Sequence, residues 1–332
     1  MRRIAFVVPG DIETKTGGYI YDKRIAAGLR ALGWSVALHH PNLDAVADQT
    51  ITLIDGLALL SIRDAVADHG SRLNLVPLVH LPLALEAGLD RRETARRDAW
   101  ELAALRHARL AIATGRRTAD QLAARGLGPE RVALVSPGTD PAPPARGSGS
   151  DRVALVSVAS LTAGKGHERL LRALAAVPSR TWTLVCAGSL ERDPATTAEV
   201  RALVARLGLE DHVVFVGELG DDDLAALYDR SDAFVSASEY ETFGMAVAEA
   251  VARGLPVVVT NVGAAREIVG AGGICVEPGE HGLLVDALAR LVTDPDTRAR
   301  CRERALIESR RLRTWDQASR EMAEALARID HE

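Results

Sequence analysis

Val153-Ala-Leu-Val-Ser-Val158, Glu168-Arg-Leu-Leu-Arg-Ala-Leu-Ala-Ala-Val177 and Trp182-Thr-Leu-Val-Cys186 follow one another in quick succession. The outer two are short, nearly unbroken apolar runs, the mark of strands buried on both faces. The middle one repeats its apolar residues at helical spacing. Strand, helix and strand in this order predict a parallel β-α-β unit. Forward of it, strands are expected at Val213–Val216, Ala233–Ser236, Pro256–Thr260 and Gly273–Val276, with helices over Thr196–Leu207, Asp222–Asp229, Met245–Arg253 and Gly282–Thr293. Backward of it, Ile4–Val8, Ser35–His39, Thr50–Leu53, Asn74–His80, Leu110–Ala113 and Arg131–Val135 read as strands, with helices over Tyr21–Leu32 and Arg92–Arg106. Between the two series lies Pro141-Ala-Pro143-Pro144-Ala-Arg-Gly147-Ser-Gly149-Ser150, which can continue neither kind of element. The expected class is α/β, with two Rossmann-like domains facing a central cleft. Their expected bounds are residues 1–145 and 150–314, with a helix over about 315–332 placed to pack back on the first.

Composition agrees with two domains. A chain of 332 residues exceeds one ordinary core and suits two of roughly 150 residues each. Hydrophobic residues at 47% and charged residues at 26% exclude general disorder and a fibrous repeat. Net charge is −5, and neither half carries the basic excess of a general nucleic-acid binder. Three cysteines, Cys186, Cys275 and Cys301, form neither an even framework nor a CxxC pair, which favours a reducing compartment. No apolar run approaches the roughly 18 residues that span a bilayer. The opening Met1-Arg2-Arg3-Ile4-Ala5-Phe6-Val7-Val8 is too short for a secretory core. The expected location is cytoplasmic, without an integral membrane segment.

In open α/β sheets, ligands sit outside the carboxyl ends of the strands. The richest such end is Ser236-Ala-Ser-Glu239-Tyr-Glu241-Thr-Phe243-Gly244-Met245-Ala-Val-Ala-Glu249-Ala250. A strand ends, a loop carries Glu241, and a helix begins near Gly244 with a single carboxylate, Glu249, among Met, Ala and Val. A lone charge on such a face is costly unless paired, and a vicinal diol can donate to both of its oxygens. First-turn N–H groups of the same helix favour a phosphate. Diphosphate at the helix start and ribose one turn deeper describe a seat for a nucleotide-sugar. The competing reading pairs Glu249 with an arginine or turns it to solvent.

The resemblance to a known family rests on several motifs in order. Glu241 and Glu249 have seven residues between them, followed by Gly254-Leu-Pro256-Val-Val. Gly17-Gly18 and Gly33-Trp-Ser-Val36 flank the first helix. Leu78-Val-His80-Leu-Pro82, Val135-Ser-Pro-Gly138-Thr-Asp140, Lys165-Gly166-His167, Asn261-Val-Gly263-Ala264 with Glu267, and Gly273-Ile-Cys-Val-Glu-Pro-Gly279 complete the set. This series resembles family 4 of the glycosyltransferases, retaining enzymes of the two-Rossmann GT-B fold. The resemblance implies that Glu249 holds the donor ribose and that Glu241 faces the donor sugar. Phe243, Gly244 and Met245 then supply backbone near sugar and diphosphate. Lys165 lies on the diphosphate, Gly188 and Gly217 border the base, and His80 contacts the transferred sugar. The chain departs from the family at Ala159-Ser160, where Gly-Arg often stands. Arg192 or Arg266 replaces that cation, or Ser160 hydrogen-bonds in its place; the residues leave these three open.

In the first half, the paired glycines Gly17 and Gly18 permit close backbone approach to a ligand and are expected to bind the donor, the helix start after them helping its diphosphate. Tyr19, Tyr21 and Asp22 follow, and because tyrosine is rare here one Tyr is expected to line an acceptor pocket together with His80. Arg91, Arg92, Arg96, Arg97 and Glu101 read as a solvated charged face. Gly164-Lys165-Gly166 fails as a Walker A loop, since neither the earlier Gly nor the following Ser/Thr is present. Asp221-Asp222-Asp223 contains the DxD of metal-dependent transferases but directly precedes Leu224, so it reads as an acidic helix start. No metal and no cofactor are expected beyond a nucleotide diphosphate-sugar co-substrate, UDP-linked by family frequency. The expected activity is retaining transfer of a hexosyl group to a small soluble acceptor. A nucleotide-sugar epimerase and a noncatalytic nucleotide- or sugar-binding protein are the rival expectations.

Overall fold

A computed structural model describes residues 2–85 and 89–329. Met1 and residues 330–332, the end of the expected terminal helix, lie outside them. Chain contacts divide the protein into Met1–Gly138 with Arg313–Glu332, and Thr139–Leu312.

The first unit opens with β1 (Arg3–Val7), α1 (Gly17–Ala31), β2 (Ser35–His39), β3 (Ile51–Asp55), α2 (Ala58–His69) and β4 (Asn74–Val79). It continues with α3 (Arg91–His107), β5 (Ala111–Ala113), α4 (Arg116–Ala124) and β6 (Val132–Leu134). The second unit starts with β7 (Val153–Val158), α5 (His167–Ala176), β8 (Trp182–Ala187), α6 (Pro194–Arg206), β9 (Val213–Gly217) and α7 (Asp221–Asp229). Next come β10 (Ala233–Ser236), α8 (Met245–Ala252), β11 (Val257–Thr260), α9 (Ala265–Val269), β12 (Gly273–Val276), α10 (His281–Thr293) and α11 (Pro295–Glu308). The chain then returns to the first unit as α12 (Trp315–Ala327).

All strand pairings are parallel. The first sheet runs β2-β1-β3-β4-β5-β6 and the second β12-β11-β10-β7-β8-β9. Alternation along each strand sorts its side chains between two helical layers. Ile4 and Phe6 of β1 pack with Ile25 and Leu29 of α1 and Met322 of α12, whereas Ala5 and Val7 pack with Leu59, Ile62 and Val66 of α2. In β7, Leu155 meets Leu170 and Leu174 of α5, and Val156 meets Val247 and Val251 of α8. Each fully buried Leu, Ile or Val contributes about 1.5–3 kcal/mol, so covering both faces is what makes all-parallel sheets stable. In each sheet the winding direction reverses once, between β1 and β3 and between β7 and β10. Such reversals are where loops splay apart and ligands enter.

Three local readings change. Helix α1 begins at Gly17, earlier than the expected Tyr21, because Thr16 caps it by accepting from the Tyr19 amide. Gly17 and Gly18 therefore form a first helical turn. The stretch 141–150, expected as a linker, is laid on the second unit: the Ala145 amide donates to the Arg253 carbonyl (2.8 Å), and Ser148 bonds Asp232 through its amide and its hydroxyl. Glu101, expected on a solvated face, is fully buried, where it accepts from Arg125 Nη1 (2.6 Å) and the Leu83 amide (3.1 Å). A carboxylate at that depth is stable only with such partners.

The helix α12 lies on α1 at Gly28, where an added Cβ would stand 1.9 Å from Ser319 Oγ and 2.5 Å from its Cβ. Gly28→Ala should therefore lower stability by about 1–3 kcal/mol through overpacking, despite alanine's better helix propensity. A thermal unfolding midpoint equal to or above that of the wild type would show that the two helices separate freely.

Candidate functional site

Apart from Gly17 and Gly18, which open α1 in the first unit, the residues expected to bind the donor gather at the carboxyl edge of the second sheet. β10, β7, β8 and β9 are consecutive neighbours there. Loops 159–166, 187–193 and 237–244 leave the first three of these strands, and Gly217 closes the fourth. Two glycines allow the loops to touch. Gly166 has φ +70°, and a Cβ on it would lie 1.9 Å from the Ala237 carbonyl oxygen. Gly188 has φ +145°, with the Ala159 oxygen 2.2 Å from the same added atom. The Gly188 amide also donates to Gly217 O at 2.8 Å, which joins the two glycines expected near a base.

Lys165 Nζ donates to Glu241 Oε1 at 2.7 Å, and Ser238 Oγ donates to the same oxygen at 3.1 Å. The reversal point between β7 and β10 thus carries a hydrogen-bonded ion pair, both members partly exposed. His167, next in sequence but one, takes no part in it. Its ring is buried with both nitrogens unpartnered, and burial together with the Lys165 charge lowers its pKa to about 4. Helix α8 starts at Gly244 with no side-chain cap, so its first-turn N–H groups have no capping side chain bound to them. Phe243 packs against the apolar cluster under that turn.

Glu249 stands on the second turn of α8. Its Oε2 accepts from the hydroxyl of Tyr228, on α7, at 3.0 Å. No ion pair engages Glu249 among the described residues, although Arg253 lies over the Tyr228 ring (4.7 Å) and bonds the Glu249 backbone oxygen. Burial pushes the Glu249 carboxyl above its usual value, partly offset by the Tyr228 hydroxyl and Arg253, while Asp140 and Asp221 push it further up. Neither the arginine pairing nor the purely solvated alternative describes this group. Tyr228 is fully buried and escaped the sequence reading, because only the packing of α7 against α8 places it beside Glu249.

The first unit has its own pocket at its reversal point, a cavity of about 290 Å³. Thr16, Gly18, Tyr19, Asp55, Leu57 and His80 are among the lining residues. His80 follows the end of β4, and its Nε2 lies 3.1 Å from Asp22 Oδ1 and 3.4 Å from Asp55 Oδ2. Burial alone lowers the imidazole pKa, but the two carboxylates outweigh it and raise it to about 10. Burial raises Asp22 to about 7 against the pull of His80, and its Oδ2 is left without a partner. For Asp55 burial acts upward too, but hydrogen bonds from His80 and the Leu57 amide win and hold it below the ordinary carboxylate range. These three residues bring two carboxylate oxygens and a ring nitrogen within 4.8 Å of one another, the arrangement in which a cation can replace the imidazolium proton. Asp55 was not anticipated; an Asp closing an apolar strand just before Gly56 was the available signal.

Tyr21 does not line this pocket. It is 1% exposed, its hydroxyl donates to the Val135 carbonyl (2.8 Å), and its ring packs against His80 and Trp315. Residues two apart on a helix point to nearly opposite sides, so with Tyr19 in the pocket Tyr21 belongs to the core. Asp22 is fully buried behind the pocket, where it meets the lining residue His80.

A family model described as Glycosyl transferases group 1 matches residues 140–307, just over half of the chain. The chain belongs to this family. D-inositol 3-phosphate glycosyltransferase of Corynebacterium efficiens is 29% identical over 220 residues, covering 60% of this chain and 52% of that protein. The chain spans about half or less of the length of the first curated relatives it matches. Among solved structures, sucrose-phosphate synthase from Thermosynechococcus elongatus superposes with a TM-score of 0.82 at 20% identity, over 100% of both chains. Anabaena HepE in complex with UDP-glucose gives 0.79 at 22%, over 99% of this chain and 100% of that one. The fold of this group 1 glycosyltransferase-family chain is therefore of the GT-B type, with two Rossmann-like domains. No helix among its described residues is long and apolar enough to cross a membrane.

Proposed function

We propose that this chain transfers a hexosyl group from a nucleotide diphosphate-sugar, UDP-linked by default, to a hydroxyl of a small soluble acceptor, with retention at the anomeric carbon and without a metal. The observation that carries this reading is Glu249. It is a carboxylate free of any ion pair among the described residues, oriented by a neutral tyrosine hydroxyl, one turn below an uncapped helix start. Its other oxygen, with the second lone pair of Oε2, suits the two hydroxyls of a ribose, and the N–H groups of the first turn suit a diphosphate.

In this reading Lys165 lies on the diphosphate and offsets the charge that grows on it as the glycosidic bond breaks. Glu241 fixes the position of that ammonium and faces the sugar. Gly188 and Gly217 present backbone to the base. In the first unit, Tyr19 and His80 meet the acceptor or the transferred sugar. With two carboxylates on its Nε2, His80 stays protonated at neutral pH and is unsuited to act as a base. That agrees with a front-face route in which the departing phosphate oxygen takes the acceptor's proton. The protein contributes orientation and charge stabilisation. The cavity lining includes no Lys or Arg among the described residues, which favours a hydroxylated acceptor over a phosphorylated one.

Thermal-shift measurements with UDP-, GDP- and ADP-sugars, followed by released-nucleotide assays with candidate polyols, test the reading. The expected result is stabilisation by one donor class and acceptor-dependent release of its nucleotide in the presence of EDTA. NMR of the product should show the donor's anomeric configuration. Conversion of donor alone would point to the epimerase instead, and no binding of any nucleotide-sugar would overturn the proposal.

A further inference from the structure

We infer that Arg192 is the second cation on the donor diphosphate; this rests on the donor site proposed above. A nucleotide diphosphate-sugar brings two negative charges, and the leaving diphosphate gains more as the bond to the sugar breaks. Lys165 does not balance this alone, because Glu241 neutralises it at 2.7 Å. Two arginines of this unit are likewise held by carboxylates. Arg169 Nη2 is paired with Glu239 at 2.7 Å. Arg266 is paired with Glu277 at 2.8 Å, through a carboxylate oxygen that also accepts from Asn261.

Arg192 differs from these. Its guanidinium is exposed, and its Nη1 donates to a neutral acceptor, Ser160 Oγ, at 3.1 Å; no carboxylate pairs with it among the described residues. Its position follows from the backbone. Loop 187–193 is tied to loop 159–166 by Ala159 N to Ala187 O and Leu161 N to Ser189 O, both 2.9 Å. A further bond runs from Ala163 N to Asp193 Oδ2 at 3.4 Å. Gly188 brings the two backbones closer than any Cβ would permit. The guanidinium therefore stands over the end of β7, beside the loop that carries Lys165. One N–H on Ser160 leaves the rest of its donor fork for two phosphate oxygens, a geometry that arginine provides and lysine does not. Of the three alternatives open at Ser160, the geometry points to Arg192 as the cation and Ser160 as its support, with Arg266 held by Glu277.

The test is calorimetric titration of the full chain and of Arg192→Gln, Arg192→Lys and the double variant Arg192→Gln with Ser160→Arg. The probes are whichever of UDP, GDP and ADP binds the wild type most tightly, with its monophosphate and its nucleoside. Arg192→Gln should weaken the diphosphate by about 10- to 100-fold, the loss of charge-assisted hydrogen bonds. Nucleoside affinity and thermal unfolding should stay unchanged. Lysine should restore part of the loss, and the arginine moved to position 160 should restore more. Equal diphosphate affinity in Arg192→Gln and wild type would overturn the assignment to Arg192 and leave the donor site standing. An equal loss for nucleoside and diphosphate would make Arg192 a structural residue and overturn it too. A wild type that binds none of the three diphosphates removes the donor site and this inference together.

Discussion

Glu249→Gln should reduce affinity for a nucleoside diphosphate by about 100-fold while leaving the unliganded protein as stable as the wild type, or more so. The first part follows from the bonds lost. A carboxylate accepting from both hydroxyls of a ribose makes two charge-assisted hydrogen bonds, each worth about 1.5–3 kcal/mol, and the amide keeps only one good acceptor. The second part follows from the environment. Burial, Asp140 and Asp221 all push the Glu249 carboxyl above its ordinary value, so its charge is a liability in the empty site. The raised value means that Glu249 favours folding below the ordinary Glu range and disfavours it as pH rises past the folded value. Removing the charge relieves the protein at neutral pH, the pattern of a group kept for binding. Tyr228→Phe should lose a smaller part of the affinity, about 3- to 10-fold, because it removes one orienting hydrogen bond of about 0.5–1.5 kcal/mol. Comparison with a 2′,3′-dideoxy nucleotide decides the origin of the effect. Wild type should discriminate strongly against it, and Glu249→Gln should not. Undiminished discrimination in Glu249→Gln would remove the ribose from this residue, and with it the main support for the donor site.

His80→Ala should lower the free energy of unfolding by about 3–5 kcal/mol, more than an ordinary pocket substitution. The imidazolium is the partner of Asp22, which is fully buried, and of Asp55, which is 3% exposed. Removing the imidazolium takes from two buried carboxylates the cation they share, at about that cost. The pH dependence separates this from simple loss of packing. His80 rises from 6.5 to about 10 on folding, so its stabilisation is complete below pH 6.5 and is lost as pH rises through about 10. Asp22 acts in the same direction, from 3.8 to about 7. Wild-type stability should therefore fall from about pH 4 to about pH 10, Asp22 losing its part up to about pH 7 and His80 its part from about pH 6.5 to about pH 10, and the fall above about pH 7 should be much weaker in His80→Ala. Parallel profiles in the two proteins would show that no imidazolium is held there. Turnover of the variant is informative only well below its unfolding midpoint, where lost activity reports the site.

The architecture was legible because its signals are local. Six apolar runs in each half, separated by helical stretches, leave few alternatives to parallel sheets covered on both faces. The clustering of the candidate donor residues was legible for a related reason. Lys165, Gly188, Gly217 and Glu241 lie on or just beyond strand ends, and in a parallel sheet all such positions share one edge. Which of these ends are neighbours was decided by the sheet order, in which β10 lies beside β7 and β8 and β9 follow.

What the amino-acid order determined by itself was the class of fold, the edge on which chemistry-bearing loops gather, and family membership through the spacing of its motifs. The tertiary structure decided which side chains are free to act. It placed Tyr19 in the pocket and Tyr21 in the core, brought Asp55 to His80, set Tyr228 against Glu249, and left Arg192 facing a neutral hydroxyl while Arg266 met Glu277. The physical reason is one of range. Propensity, periodicity and capping act within a few residues. Burial, pKa and partnership depend on groups far apart in the chain, as in Tyr228 with Glu249 or Asp22 with His80, whose meeting is fixed only when helices pack on the sheets.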